Sequence, residues 1–525
     1  MSLQTVMSRP IAERVSTLVR AHPDLSAIGL LLIVSLVIRV RYLFRPFHGD
    51  EMITFSKMVL GRDFGGIILG PFDSNSHLLN SLIMKAVYLG AGEIPALMRL
   101  PNLVFVLLAI MLLYVMCAGE FGRVTAFAAA LIFSLHPAMV LFSVWGRGYA
   151  GMVLFTLISS CLFLQLLRSF SWRRWLLCST TGFLAGTAHL FAVNVLIAQA
   201  LLALLFIAWP EKGHSEDFLA RAKRMGPVIL GPVIALALLF AIYLPQMLVS
   251  STESFHYSFQ TAFPLALVNF LGGNTYRTDV DVFSLLILAL ALLGLFSLKE
   301  NPILKTYSGL LFLAPVSLYG LSYLAPVFTL HPRFFVFLLP FTCLLFVAGL
   351  KHTADTVRAK TGDHRRASMV IRGAACLCVV LVAVIFIDRI KVPRGRALIR
   401  AQRVVGDFID NHPDAQLLTN DTGFVRVRLR QEGNMDRIRP ALGIRPIRAF
   451  QAQEPTGAIY FIYVPRKRQS ESALIHFQGR VTPEVLHRRD DSLRAFLTKN
   501  ATIEVDLAPM LQIYAIRPQP EATPE

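Results

Sequence analysis

Charged residues are scarce in this chain: they make up only 16% of its 525 residues, whereas hydrophobic residues make up 55%. The mean hydropathy of +0.57 lies above that of ordinary soluble domains. Cysteines are also few: the chain has six, and the last of them is Cys378. All of them lie in or beside apolar runs, so neither a disulfide framework nor a zinc site is indicated. These absences exclude a soluble enzyme and a disulfide-stapled secreted domain.

Apolar runs long enough to cross a bilayer as a helix, about 17–25 residues each, recur through the first three quarters of the chain. The run from His77 to Gly90 is apolar but short, so we expect a helix along the membrane surface, with a full span as the alternative. The fold class is an all-α polytopic membrane domain with about eleven transmembrane helices. We predict spans at residues 27–44, 97–117, 124–143, 150–167, 175–189, 190–209, 227–248, 282–298, 306–325, 334–350 and 372–388.

Lysine and arginine outnumber acidic residues by 51 to 33, and they concentrate in alternate short loops. Because cytoplasmic loops carry such an excess, we place the N-terminus in the cytoplasm and the protein in the cytoplasmic (inner) membrane. Much of the net charge of +18 is then an orientation signal, and no nucleic-acid partner is predicted. The basic loops contain Arg123; Arg168, Arg173 and Arg174; Lys212, Arg221, Lys223 and Arg224; Lys299 and Lys305; and Lys351, Arg358, Lys360, Arg365 and Arg366.

The character of the sequence changes after residue 390. Residues 404–409 resemble a helix, Gln416–Thr419 is a short apolar strand, and Ala458–Val464 is a buried strand bounded by glycine and proline. With the N-terminus in the cytoplasm, an odd number of spans places this segment on the outer side of the membrane. We therefore predict two domains: residues 1–390 in the membrane, and a small extracytoplasmic α/β domain at residues 391–525.

The sequence His48-Gly49-Asp50-Glu51 directly follows the first predicted span. Two adjacent carboxylates are costly to keep near lipid at the point where a chain leaves the membrane. They either mark solvent or lie in a cavity at the membrane surface that carries proton or metal chemistry. The loop that holds them, residues 45–96, and a second long loop, residues 250–281, are where a substrate site is expected.

Two single arginines, Arg147 and Arg333, lie at span ends on the side predicted for the carboxylates. A lone arginine in such a place is more often an interface anchor, with its head in water and its stem in lipid. Two of them, each among aromatic residues, instead suggest a binding site for phosphate, which the planar guanidinium fits well.

Four short motifs follow the acidic pair in order, on the same predicted side of the membrane. They are Asn75-Ser76-His77-Leu78-Leu79, Ala96-Leu97-Met98-Arg99-Leu100-Pro101, Arg147-Gly148-Tyr149-Ala150, and His331-Pro332-Arg333-Phe334 leading to Leu339-Pro340. With the acidic pair, they resemble the GT-C superfamily of membrane glycosyltransferases. Within it, the chain is most similar to the protein O-mannosyltransferase and aminoarabinose-transferase branch, often called family 39. The resemblance covers residues 27–350.

The resemblance implies a transferase that moves a sugar from a polyprenyl-phosphate-linked donor to lipid A, a surface glycan or a protein. Asp50 would be the general base for the acceptor hydroxyl, and Glu51 would position the base or the sugar. A single displacement would invert the anomeric carbon, with cations stabilising the leaving phosphate. The lipid tail of the donor would lie between spans, and membrane lipids would surround the protein. Substrate-binding side chains would be His77, Arg99, Arg147, Tyr149, His331 and Arg333.

The family usually has an acidic residue just before its Arg-x-Tyr motif, where this chain has Trp145-Gly146. A second acidic partner for a metal or the acceptor is then either missing or supplied by Glu253, Asp279 or Asp281. The sequence neither requires nor excludes a divalent metal. No predicted cytoplasmic loop carries the Asp-x-Asp signature of nucleotide-sugar transferases, which fits a lipid-linked donor.

A polytopic transporter or flippase of lipid-linked glycans is the main alternative, because it would share the spans and the basic loops. Such folds often contain internal repeats and charged or broken helices at the membrane midplane. This sequence has no evident repeat, and acidic residues are nearly absent from the span centres. A polysaccharide polymerase or ligase and a non-catalytic scaffold are further alternatives; the acidic pair and the C-terminal domain favour the transferase.

Overall fold

The structure is a computed structural model of the 525-residue chain. It describes residues 22–45, 47, 50–72, 77–208, 217–249, 263–274, 281–298, 301–324, 330–361 and 366–390, and beyond them residues 411, 416–419, 438–440, 459–463, 497, 501–507 and 511–516.

In these ranges the first 390 residues are helical. The α-helices are α1 Pro23–Leu43, α2 Asp50–Thr54, α3 Phe64–Leu69, α4 Leu78–Ala91, α5 Pro95–Phe121, α6 Arg123–Leu135, α7 Pro137–Ser143, α8 Tyr149–Arg168, α9 Trp172–Ala188, α10 Val193–Ala208, α11 Phe218–Val249, α12 Phe263–Leu271, α13 Val282–Ser297, α14 Pro302–Leu324, α15 Leu339–Thr361 and α16 Arg366–Arg389. A π-helical segment, Phe55–Leu60, continues α2, and 3₁₀ turns at Leu190–Ala192 and Pro332–Leu338 lead into α10 and α15.

A helix or a bent helix pair lies at each of the eleven predicted span positions. Within the described residues, six helices are long and apolar enough to cross a membrane, and α6 with α7, bent by 63°, makes a seventh. The helices α9 and α13 are shorter, at 17 and 16 residues. The predicted all-helical, multi-pass membrane domain is confirmed, and the exact number of spans stays a prediction.

The segment expected to be one long loop, residues 45–96, is largely helical where the structure describes it. It contains α2, the π-helical segment, α3 and α4. Local signals explain part of this: the Asp63 carboxylate caps α3 by accepting from the Gly66 amide at 2.6 Å. The predicted helix after His77 is present as α4, which buries Leu78, Ser81 and Met84. The second expected loop, residues 250–281, likewise contains α12.

The helix α15, with the 3₁₀ turn before it, is the most enclosed of the candidate spans, with 83% of its apolar window buried. It crosses α13 at two glycines. A Cβ at Gly294 would overlap the Leu345 carbonyl oxygen, and a Cβ at Gly349 would overlap that of Leu290. Only glycine fits at either position, so the two main chains lie in direct contact, as small residues permit between membrane helices.

After residue 390 the structure describes a five-stranded mixed sheet. Its strands are β1 Gln416–Thr419, β2 Ile438–Pro440, β3 Ile459–Tyr463, β4 Ala501–Leu507 and β5 Leu511–Ile516, in the order β2-β1-β3-β5-β4. The first three are parallel, and β5 runs antiparallel to β3 and β4. The strands predicted at 416–419 and 458–464 are present as β1 and β3. The helix expected at residues 404–409 lies outside the described residues, and the boundary at residue 390 stays a prediction.

Candidate active site

Asp50 lies between two arginines from distant parts of the chain. It is the first residue of α2, which is the next helix after α1 in the chain. Its Oδ2 is 3.0 Å from Nη1 of Arg147 and 2.9 Å from Nη1 of Arg333. The Asp50 side chain is 28% exposed, whereas that of Arg147 is 2% exposed. The Asp50 carboxylate is therefore accessible on one side, and the buried Arg147 binds it on the other.

Arg147 lies in the short turn between α7 and α8. A close approach of two main chains positions this turn, since a Cβ at Gly148 would overlap the carbonyl oxygen of Ala188. Two buried asparagines also bind the turn: Asn80 donates to the Gly146 carbonyl at 2.8 Å, and Asn102 donates to that of Trp145 at 2.5 Å. The main chain around Arg147 is thus fixed on both sides.

His77 fixes the side chain of Arg147. Its Nδ1 lies 3.2 Å from the Ala188 carbonyl oxygen, which can only accept, so Nδ1 carries the proton. The other nitrogen, Nε2, accepts from Nε of Arg147 at 2.9 Å. Burial, together with the charge of Arg147, lowers the pKa of His77 well below its ordinary value. The ring is therefore neutral and orients Arg147 toward Asp50.

Glu51 is fully buried and has a different set of partners. Its carboxylate accepts two parallel hydrogen bonds from Arg99, at 2.7 Å from Nε and 2.6 Å from Nη2, and a third at 2.6 Å from the Gly146 amide. Arg99 also donates to the carbonyl oxygens of Leu43, at 2.8 Å, and Arg45. This network joins the end of α1, the start of α2, the start of α5 and the Arg147 turn.

Arg333 and His331 lie on the segment that leads into α15. Arg333, in the 3₁₀ turn, has its guanidinium 5.9 Å from the centre of the Phe334 ring, and its side chain is 21% exposed. His331 precedes the turn and packs edge-on against the same ring at 5.2 Å. The structure thus brings Arg333 to Asp50 and places His331 beside it.

Tyr149 begins α8 and is completely buried. Its ring packs against His77 at 5.3 Å and Phe142 at 4.3 Å, and the Arg147 guanidinium lies 5.6 Å from its centre. Among the residues that the structure describes, its hydroxyl has no hydrogen-bond partner.

Sequence reasoning missed His189, which lies in the connection between α9 and the 3₁₀ turn before α10. Its ring is 4.9 Å from that of His77 and 5.0 Å from that of Tyr149. Burial, together with the charges of Arg147 and Arg333, lowers the pKa of His189 to about 3, so this ring is also neutral. A polar residue at the junction of two apolar runs was the available signal.

Of the acids considered as a second carboxylate, the structure describes Asp281, which has partners of its own. Asp281 caps α13 by accepting from the Phe283 amide at 3.2 Å, and it pairs with Arg389 at 2.9 Å. Burial by itself would raise the pKa of Asp281, but the Ser284 hydroxyl and the Arg389 guanidinium hold it below its ordinary value. Glu253 and Asp279 fall outside the described residues, as do His48 and Asn75. Within the described ranges, no three His, Cys, Asp or Glu side chains are grouped as a metal site would require.

Within the described part of the chain, the group formed by Asp50, Arg147 and Arg333 has a net positive charge, and His77 and His189 beside it are neutral. An arrangement of this kind can bind an anion through the arginines and take up a proton at the carboxylate.

No family model matches the sequence, and no curated protein matches it significantly. Solved structures do match. ArnT from Cupriavidus metallidurans in the apo state is 11% identical, with a TM-score of 0.54 over 94% of this chain and 99% of that one. The same protein bound to undecaprenyl phosphate matches over the same shares at 11% identity, with a TM-score of 0.50.

The archaeal oligosaccharyltransferase AglB from Archaeoglobus fulgidus, in complex with an inhibitory peptide and a dolichol-phosphate, is 10% identical. Its TM-score is 0.53 over 95% of this chain and 75% of that one. Across most of its length, this chain therefore has the fold of the GT-C membrane glycosyltransferases, which is the resemblance that the motifs predicted.

Proposed function

We propose that this protein is an integral membrane glycosyltransferase that uses a polyprenyl-phosphate-linked sugar as its donor. One observation carries the proposal. In a chain with the GT-C fold, a partly exposed carboxylate at the end of the first span lies within 3.0 Å of two arginines. The acceptor is a lipid, a surface glycan or a protein, and the reaction takes place on the outer face of the cytoplasmic membrane.

The proposed chemistry is a single displacement at the anomeric carbon of the donor. Asp50 accepts the proton of the acceptor hydroxyl as its oxygen forms the new bond to that carbon. The bond between the carbon and the phosphate oxygen breaks, and its electron pair leaves with the polyprenyl phosphate. Because no covalent enzyme intermediate forms, the anomeric configuration is inverted.

Arg147 and Arg333 are the proposed partners of the leaving phosphate. Guanidinium groups offer paired donors that fit phosphate oxygens, and two of them exceed the single charge of Asp50. The relatives of similar fold support a lipid phosphate as the ligand, because ArnT binds undecaprenyl phosphate and AglB binds a dolichol-phosphate. The AglB complex also holds an inhibitory peptide, which supports a protein acceptor as one of the three classes.

Glu51, Arg99 and His77 have supporting roles in this proposal. Glu51 gives its oxygens to Arg99 and the Gly146 amide, so it positions α2 and the Arg147 turn without meeting the substrate. His77 positions Arg147 through its Nε2. Tyr149, under the Arg147 guanidinium, and His331, beside Arg333, border the phosphate site.

The test is turnover by the purified protein in lipid nanodiscs. A panel of polyprenyl-phosphate sugars is supplied with candidate acceptors, and release of polyprenyl phosphate is followed by mass spectrometry. We expect release with at least one donor, and release at least about a hundredfold slower from the Asp50→Asn variant. In closed proteoliposomes, movement of intact donor across the bilayer without its cleavage would instead establish the flippase alternative. Lipid A and envelope glycans from a deletion strain then identify the sugar and the acceptor.

The proposed orientation has its own test. A reporter that is active only after export, fused after Ile513, should be active, because the C-terminal segment is proposed to lie outside. The same reporter fused at Thr361, at the end of α15, should be silent. The reverse pattern would place Asp50 and its arginines on the cytoplasmic face and contradict an outward-facing site.

A further inference from the structure

One ring nitrogen of His189 accepts a hydrogen bond from the main chain, and the other has no hydrogen-bond partner among the described residues. Its Nδ1 accepts a hydrogen bond from the Phe191 amide at 3.2 Å, which caps the 3₁₀ turn before α10. An amide can only donate, so Nδ1 carries no proton, and in a neutral ring the proton is on Nε2. Among the described residues, no hydrogen-bond partner faces Nε2. His189 thus presents a fixed N–H donor.

This donor belongs to the same cluster as the two arginines of the candidate active site. The His189 ring packs against Phe334, the neighbour of Arg333, at 5.4 Å, and against His77, which holds Arg147, at 4.9 Å. The charges of both arginines act on it, and a pKa of about 3 keeps it neutral at any physiological pH. It therefore adds a donor to the site without adding a third cation.

A second unused polar atom lies in this cluster. The Tyr149 ring is 5.0 Å from that of His189, and its buried hydroxyl has no partner among the described residues. Buried polar groups without partners are uncommon in folded proteins, and they often mark a place that a ligand or an ordered water fills. The buried Tyr149 hydroxyl and the His189 Nε2–H, both near the two arginines, indicate an oxygen-rich anion.

We infer that His189 is a phosphate-binding residue of this site, whose Nε2–H donates to a non-bridging oxygen of the donor phosphate beside Arg147 and Arg333. The inference rests on the proposed function, because the phosphate is that of the lipid-linked donor. A neutral donor at this point stabilises the phosphate in both the bound donor and the leaving group, so it acts mainly on binding.

The test separates the two nitrogens of His189. Asparagine places an oxygen near the position of Nδ1 and keeps the cap on Phe191, but it has no donor at the position of Nε2. Glutamine reaches the position of Nε2 with an amide N–H but no longer caps the turn. A phosphate-binding role predicts that His189→Asn is damaging and His189→Gln is mild, whereas a purely structural role predicts the opposite order.

Binding of undecaprenyl phosphate to the purified full-length protein is the measurement, with undecaprenol as the comparison without phosphate. A hydrogen bond to a charged group has a strength that corresponds to roughly a 10- to 100-fold change in affinity. We expect His189→Asn to weaken undecaprenyl phosphate binding by this factor, His189→Gln to recover most of it, and undecaprenol binding to stay unchanged.

His136 is the matched control. It caps α7 in the same way, with Nδ1 accepting from the Ala138 amide at 3.3 Å, but its Nε2 is used by the Leu271 carbonyl at 3.3 Å. The variants His136→Asn and His136→Gln should leave undecaprenyl phosphate binding unchanged.

Two results would overturn the inference, and only the second would also overturn the proposed function. Unchanged binding in His189→Asn, or an equal loss for undecaprenol, would remove His189 from the phosphate site and leave the proposed function standing. A wild-type protein that binds undecaprenyl phosphate no better than undecaprenol would remove both.

Discussion

Asp50 and Glu51 are neighbours in sequence but belong to two different regions of the structure. The Glu51 region is closed: the carboxylate is fully buried, and Arg99 binds both of its oxygens. The Asp50 region is open on one side, with the carboxylate 28% exposed and both arginines on its Oδ2. Each region contains a carboxylate and arginine, yet only the carboxylate of the open region is partly exposed.

The difference between the two regions shows that a structural carboxylate, Glu51, can fix the position of its neighbour Asp50. The Asp50 carboxylate then stays available for a reaction. The Glu51–Arg99 pair joins four segments and fixes the start of α2, which begins with Asp50. Removing a partner from a buried pair is expensive, because the remaining charge is left without compensation. A partly exposed carboxylate can instead exchange its partners for water or substrate. The comparison therefore predicts that changes at Glu51 act on stability and changes at Asp50 act on turnover.

The largest expected effect is that of Asp50→Asn on turnover. Asparagine keeps the size of the side chain but cannot accept the proton, and loss of a general base typically costs about 10²–10⁴-fold in rate. We expect turnover to fall at least about a hundredfold, with donor affinity near that of the wild type. Steady-state kinetics and lipid-phosphate binding measure the two quantities.

Asp281→Asn is the matched control for that variant, because Asp281 is also paired with an arginine and lies outside the site. Asparagine caps helices as well as aspartate does, so turnover should stay at the wild-type level. Near-normal turnover in Asp50→Asn would contradict the general-base assignment.

The next effect is that of Glu51→Gln on stability. This change leaves Arg99 buried without its counter-charge, and breaking such a pair typically costs about 3–5 kcal/mol of folding free energy. We expect a clear fall in the thermal midpoint in detergent and a milder loss of turnover per folded molecule than in Asp50→Asn. The double variant Glu51→Gln/Arg99→Gln should recover part of the midpoint, since neither charge is then left alone.

A Glu51→Gln protein with normal stability and a hundredfold loss of turnover would erase the distinction between the two regions. It would also favour joint metal binding by the two carboxylates. A chelator applied to the wild-type protein then distinguishes a shared metal from a shared proton.

The smallest expected effect is that of lysine at the two arginines of the open region. Arg333→Lys keeps the charge but loses paired donation to phosphate, so we expect about tenfold weaker binding of the lipid phosphate. Arg147→Lys should be more damaging, because it also loses the Nε bond to His77. Binding assays at matched expression measure both. Unchanged binding in both variants would make these arginines interface anchors.

The helical part of the fold could be predicted from the sequence, because a span needs only a long apolar run, which is a local property. The acidic pair, Arg147 and Arg333 were recognisable for a related reason: polar groups at the ends of apolar runs stand out. The pairing of these groups was not predictable. Glu51 meets Arg99 across 48 positions, and Asp50 meets Arg333 across 283, so tertiary packing determines both pairs.

His189 escaped notice because it lies between two apolar runs where a single polar residue looks like a connection. Its role depends on which of its nitrogens the fold occupies, and that depends on the 3₁₀ turn at Leu190–Ala192. The folding of residues 45–96 was underestimated for a similar reason: the helices α2 and α3, of five and six residues, are too short to show a helical period.

The direct contact of α13 and α15 at Gly294 and Gly349 limits how the active site can move. Neither helix can slide along the other without a collision of main chains, and Arg333 lies in the 3₁₀ turn that leads into α15. Asp50 begins a helix of five residues that continues as the π-helical segment Phe55–Leu60, and the Glu51–Arg99 pair fixes the start of that helix. Asp50 and Arg333 are therefore both held by anchored elements, so an incoming substrate meets a carboxylate and an arginine that are already in place.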